Sequence, residues 1–227
     1  MQLCCKHIGR EFLMLKVCVE KKIGDLNMNV GFAIEKPVIT ALLGKSGAGK
    51  TTLANMLSGL VKPDSGVVVF NDDVFFDGER RVNLPPEERG IGYVFQEHRL
   101  FPHLSVRHNL TFGRWAGGRK NSEKLSKIVE LLELGRLLDR RPDTLSGGES
   151  QRVAIGRALY ACTSFLIMDE PLSSLDAALK ESIMDYIAMI PKNFSFPMIY
   201  ITHDQKEVDR LAEETLSLEG GRIGGGA

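Results

Sequence analysis

The 227 residues carry Lys+Arg 29 against Asp+Glu 29, so no net charge favours a polyanion, and the length suits one large domain with a sizeable core. No apolar run approaches the roughly 18 residues of a membrane span, and Lys6, His7, Arg10 and Glu11 interrupt the stretch that a signal peptide needs. Cys4, Cys5, Cys18 and Cys162 have neither zinc nor redox spacing. A soluble, reduced protein is expected, and any membrane role must come through a partner.

Leu26, Met28, Val30 and Phe32 alternate with Asn27, Asn29 and Gly31, the period of a half-buried strand. Residues 38–43 are apolar except for Thr40, as expected of a buried parallel strand. They run directly into Gly44, Lys45, Ser46, Gly47, Ala48, Gly49, Lys50, Thr51 and Thr52, and residues 51–57 then read as a helix. Residues 67–70 and 91–95 are further strands. Leu125, Ile128, Val129 and Leu132 fall at helical spacing, with Asn121 or Ser122 as the cap. A helix over 149–159 turns Val153, Ile155, Ala158 and Leu159 inward and Gln151, Arg152 and Arg157 outward. Residues 165–168 and 199–201 are buried strands, and between them Leu179, Ile183, Ile187 and Ile190 form a helical stripe ending at Pro191. The alternation predicts an α/β core with helices covering a mostly parallel sheet.

The glycine-rich segment carries the first chemistry. Gly44, Gly47 and Gly49 let the backbone turn tightly, so that successive N–H groups point at phosphate oxygens, and the following helix adds its dipole. Lys50 suits the terminal phosphates, and the Thr51 hydroxyl suits a Mg2+ position. Asp169 and Glu170 close an apolar strand, at the carboxyl edge where parallel sheets bind ligands. Asp169 is suited to a Mg2+ shell and Glu170 to activating a water. Alone, such a pair is more often a solvated turn; here Pro171 and the SSLD of residues 173–176 follow it. Ser146, Gly147 and Gly148 offer a hydroxyl and backbone amides at a helix start, a second place for phosphate. Gln96 and His203 each follow a strand and so reach the same crevice. His98, His103 and His108 recur every five residues and lack zinc-site spacing.

Taken in order, GKSGAGKT at 44–51, LSGGESQRVAIGRAL at 145–159 and the acid pair resemble the ATP-binding-cassette (ABC) ATPases. The resemblance implies an α/β P-loop NTPase fold: a mostly parallel core, an antiparallel β subdomain and a helical subdomain at roughly 97–160. It implies ATP and Mg2+ as cofactors, with Thr51, Gln96 and Asp169 at the metal and Glu170, His203 and Gln96 in catalysis. It further implies that Ser146, Gly147, Gly148 and Glu149 meet ATP held by a second copy in a head-to-tail dimer, with Asp176 in the adjoining loop. GYVFQEHRLFPHLSVRHNLTFG, residues 92–113, is most similar to the ATPase subunits of bacterial molybdate importers. That likeness implies a peripheral position on the cytoplasmic face of the inner membrane and a permease docked near residues 96–114. A periplasmic substrate-binding protein would act indirectly, and no nucleic acid is involved. Import of tungstate or sulfate is the alternative, and a soluble non-transport ABC ATPase a more distant one.

The likeness covers residues 14–223. Residues 1–13 read as an extension of unknown role and 224–227 as a loose tail, with no C-terminal oxyanion-binding domain. Val19 takes the place of the aromatic that stacks on adenine in many cassettes, which leaves Phe12 as a candidate substitute.

Overall fold

The computed structural model describes residues 14–113 and 121–224; Phe12, the expected extension, and residues 114–120 and 225–227 lie outside the described residues. Among the described residues the strands form two sheets. The first is antiparallel, in the order β2-β1-β4-β5-β6. It comprises β1 (Leu15–Ile23), β2 (Leu26–Ile34), β4 (Ser65–Phe70), β5 (Asp73–Asp77) and β6 (Val82–Asn83). The second runs β11-β10-β3-β9-β8-β7, parallel except where β11 (Arg222–Gly224) returns beside β10 (Glu214–Glu219). Its other members are β3 (Ile39–Leu43), β7 (Gly92–Val94), β8 (Leu166–Asp169) and β9 (Met198–Thr202). Six α-helices are described: α1 (Lys50–Ser58), α2 (Val106–Thr111), α3 (Ser122–Leu131), α4 (Gly147–Ala161), α5 (Ala177–Asn193) and α6 (Gln205–Leu211).

Sequence pattern explains these layers. Every residue of β8 and β9 is buried, as continuous apolar strands covered on both faces must be. Met28, Val30 and Phe32 of β2 are buried while their polar alternates are not, so one face of the antiparallel sheet meets a core. That core sits between the sheets and surrounds α1, with Phe165 against Phe70 at 5.6 Å. A second core gathers α2, α3, α4 and α5 around Leu110, Ile128, Ile155 and Ile183. Asn121 is the cap of α3, its side chain accepting from the Lys124 N–H.

Four expectations need correction. Gln151 and Arg152 are buried, not outward, and Arg157 is half-buried. Helix α4 packs on α2, α3, α5 and β7 together, so it has no wet face to give them. Arg152 therefore donates to the Leu132 carbonyl at 2.9 Å with its guanidinium over Tyr186, and Arg157 donates to the Arg99 carbonyl at 2.7 Å. Helix α5 does not stop at Pro191 but runs on to Asn193. A proline this near the end forfeits one bond, and the Phe194 N–H still closes the last turn on the Ile190 carbonyl at 2.9 Å. Gly224 is not loose: it pairs with Ser217 at the end of β11. Val19 is 1% exposed and faces the core, so it cannot meet a base.

One buried charge fixes α1 from behind. Arg89, 1% exposed, donates to the Met56 carbonyl at 2.9 Å and the Leu57 carbonyl at 2.6 Å. These belong to the last turn of α1, where the Gly59 N–H also reaches the Met56 carbonyl at 3.3 Å and the end carbonyls otherwise run short of helical donors. Its other bonds reach the Leu84 carbonyl and Asn83, and burial pushes the guanidinium down to about 10, still charged at neutral pH. Gly59, at φ 84, ends the helix; a Cβ there would lie 2.8 Å from Arg89 Nε. Arg89→Ala is expected to cost about 3 kcal/mol or more of folding stability, since several buried acceptors lose a charged donor at once. Urea unfolding with an unchanged m-value checks this, and a midpoint shift corresponding to under about 1 kcal/mol would contradict it.

Candidate functional site

Strands β3, β9 and β8 end level with one another, Leu43 opposite Thr202 and Asp169 opposite Ile201. The loops after them therefore open on one sheet edge, where α/β proteins bind ligands. Gly44 leaves β3 so close to β10 that a Cβ would stand 2.5 Å from the Leu218 carbonyl oxygen. Gly47 (φ 79) and Gly49 (φ 100) take left-handed turns that other residues resist, and α1 starts at Lys50.

Lys50 is 5% exposed, and its ammonium donates to the Gly44 carbonyl at 2.8 Å and the Lys45 carbonyl at 3.2 Å. Glu170 Oε1 lies 3.9 Å from that ammonium, and Glu170 Oε2 lies 3.4 Å from His203 Nδ1. Glu170 holds φ 46, with its N–H bound to the Ile201 carbonyl and its own carbonyl accepting from Ser173 Oγ at 3.0 Å. A left-handed glutamate costs on the order of 1–2 kcal/mol, and the bonds on either side hold it there.

Asp169 is 7% exposed. Thr51 Oγ1 donates to its Oδ1 at 3.3 Å and the Tyr93 hydroxyl to its Oδ2 at 3.2 Å. Burial pushes this carboxyl above the usual range, against the bonds from Thr51 and Tyr93 that favour the anion. Tyr93 is pushed up in turn, first by burial and then by the Asp169 charge, so it remains a donor. Tyr93 is the residue that sequence reasoning missed; its place in GYVFQ gave no hint that its hydroxyl reaches Asp169.

Leu43, Gly44, Lys45, Ser46, Glu170, His203, Gln205, Ser217 and Glu219 line a cavity of about 540 Å³ at this edge. Another of about 660 Å³, in the helical layer around Arg107, Val129 and Arg136, contains none of the predicted site residues. Gln96 lies two residues beyond β7 and is exposed, without a side-chain bond to Thr51 or Asp169. Ala48 is buried beneath the loop, Gly47 is exposed, and Thr52 is half-buried on α1.

Ser146, Gly147, Gly148 and Glu149 are elsewhere. They form the start of α4, where Ser146 Oγ accepts from the Glu149 N–H at 3.3 Å and Glu149 returns the bond to the Ser146 N–H at 2.9 Å. The backbone bond from Ser146 holds the Glu149 carboxyl below its usual range, helped by Arg140. Ser146 and Gly147 face solvent, while Gly148 lies so close to Leu179 that a Cβ would approach it to 2.4 Å. Asp176 caps α5 by accepting from the Leu179 N–H at 3.0 Å. None of these residues lines the cavity beside Lys50. In place of Val19, Leu26 and Met28 pack near the loop, 3.2 Å and 3.0 Å from where a Gly49 Cβ would be.

A glycine loop between strand and helix, a lysine at the helix start and a carboxylate pair at the end of β8, one strand removed from β3 in the sheet, define a P-loop nucleotide-binding domain. The sequence model of the ABC transporter family matches residues 27–173, and the chain belongs to that family. It is 48% identical over 209 residues to the molybdenum import ATP-binding protein ModC of Brucella melitensis, covering 92% of this chain and 58% of that protein. The protein of the same name in Rhodospirillum rubrum is 49% identical over 213 residues, covering 92% and 57%. The chain thus spans somewhat over half the length of the curated relatives it matches. Among solved structures, cbiO1 of Clostridium perfringens, part of the ABC transporter complex cbiONQ, superposes with a TM-score of 0.80 at 27% identity. That match covers 94% of this chain and 87% of cbiO1. Among the described residues no helix is long and apolar enough to cross a membrane.

Proposed function

We propose that the chain is the ATP-hydrolysing subunit of a bacterial ABC importer for molybdate, working as a head-to-tail dimer at the cytoplasmic face of the inner membrane. The observation that carries this reading is the division of the predicted site. Lys50, Thr51, Asp169, Glu170 and His203 converge at one sheet edge, whereas Ser146 and Gly147 face solvent outside that cavity. A phosphate-binding helix start left facing outward suits a second copy's ATP, and two-fold pairing completes two sites at once.

The donors suit Mg2+: a Thr51 hydroxyl and an Asp169 carboxylate within 3.3 Å of each other, with the Gln96 carboxamide as a third oxygen from the adjoining loop. Bound there, Mg2+ would supply positive charge opposite the terminal phosphates. Lys50 exchanges the Gly44 and Lys45 carbonyls for phosphate oxygens. Glu170 orients the attacking water and takes its proton, while His203 holds the γ-phosphate. Asp176 joins the nucleotide contacts across the dimer. ATP binding closes the dimer and hydrolysis reopens it, and the motion passes through Gln96 to the permease. Phe95, Phe101 and Leu104, half-buried, and Phe112, 38% exposed, supply an apolar dock for the permease. A periplasmic substrate-binding protein delivers the ion. Molybdate follows from the relatives' names and from the stretch at residues 92–113.

The test is to tag the Glu170→Gln protein in its host, solubilise membranes gently with ATP and identify what co-purifies. A multi-span permease whose receptor binds molybdate is the expected result. A receptor that prefers sulfate or tungstate would reassign the ion, and soluble partners alone would overturn the transport role.

A further inference from the structure

Asp169 has different partners on its two oxygens. Oδ1 faces the P-loop through Thr51 at 3.3 Å, and Oδ2 is tied to the neighbouring strand by the Tyr93 hydroxyl at 3.2 Å. Asn55 Oδ1 lies 3.4 Å from that hydroxyl, so α1, β7 and β8 all meet at one point. The Tyr93 ring stacks on Phe95 with centroids 4.2 Å apart and planes at 24°, and the Arg99 guanidinium sits 4.4 Å over Phe95. A continuous set of contacts thus runs from the carboxylate to the loop on either side of Gln96.

We propose that Tyr93 is a positioning residue for the metal-holding carboxylate: its hydroxyl locks one oxygen of Asp169 so that the other stays aimed at the Thr51 side. The inference rests on the reading that Asp169 and Thr51 hold Mg2+. A half-exposed aspartate could swing between rotamers; Asp169 is buried and held at both ends, so the entropy of aiming it is spent before the metal arrives. Groups that orient metal-binding carboxylates in this way typically change metal affinity by about 10–100-fold when removed. The ring of Tyr93 performs a separate task, packing on Phe95, which a phenylalanine would keep.

Tyr93→Phe separates the two. In the purified full chain with ADP present, Mn2+ binding is read from the free-ion EPR signal. Fluorescent-nucleotide binding is measured in parallel in EDTA. The expected result is Mn2+ affinity about tenfold weaker, with metal-free nucleotide binding close to wild type. Hydrolysis should show a raised half-saturating Mn2+ concentration and a kcat that recovers at saturating Mn2+. A merely structural role would weaken metal-free nucleotide binding to the same degree, and that outcome overturns the proposal. Mn2+ affinity within about twofold of wild type also overturns it, since the 10–100-fold range would be missed. Asp169→Asn is the control: if it leaves Mn2+ binding intact, the metal-site reading falls, and this inference with it.

Discussion

Glu170→Gln is expected to lower ATP turnover by about 10²–10⁴-fold while leaving ATP bound, because the amide keeps the shape of the side chain and loses its basicity. Such a loss corresponds to roughly 3–5 kcal/mol of barrier. Glu170 touches both Lys50, at 3.9 Å, and His203, at 3.4 Å, yet it is held in a left-handed backbone conformation at φ 46. Stability alone would favour glycine or asparagine at such a position; a strained glutamate fits a group kept for its reach into the cavity. Phosphate release at saturating ATP, together with a filter assay for retained nucleotide, measures both halves of the prediction. Unchanged turnover would remove Glu170 as the base.

Lys50→Ala should strike binding rather than chemistry. The Lys50 ammonium is buried at 5% exposure and rests on two carbonyls of its own loop. Hydrogen bonds made by a charged group contribute about 1.5–3 kcal/mol each, and roughly 1.4 kcal/mol is tenfold in affinity. ATP affinity should therefore fall at least about tenfold, as read by titration of a fluorescent ATP analogue. Arginine should not rescue it, since a planar fork does not fit a space shaped around a point charge. Wild-type affinity in the alanine variant would end the phosphate role of Lys50.

Much of this was legible from local spacing, and the exceptions share a physical cause. Gly44, Gly47, Gly49 and Lys50 fall within one short stretch of chain, residues 44–50, so their joint geometry is a property of one loop. The β2 alternation and the apolar runs of β8 and β9 report burial residue by residue, and the structure follows them. Gln151 and Arg152 misled because amphipathic reasoning assumes a wet face, and α4 is enclosed by helices and a strand. Arg89 on α1 and Tyr93 on Asp169 are contacts across 33 and 76 residues of chain, set by sheet order and register, which no spacing rule contains. Strands β5, β6, β10 and β11 and helices α2 and α6 went unread; several are very short, and β10 and β11 keep much of their length exposed. For the same reason the sequence did not show that Val19, read at the place of the missing adenine-stacking aromatic, turns inward: the buried face of β1 is fixed by its pairing with β2 and β4.

That each ATP is completed by a second copy is tested most directly by light scattering of Glu170→Gln with Mg·ATP, alone and combined with Ser146→Arg. The single variant should form a dimer holding one ATP per chain. The double variant should bind ATP equally well through its intact P-loop yet remain a monomer, since Ser146 is exposed and lies outside the cavity lined by Gly44, Lys45, Ser46 and Glu170. A double variant that dimerises as readily as the single one, or a single variant that stays monomeric with ATP bound, would contradict the shared site.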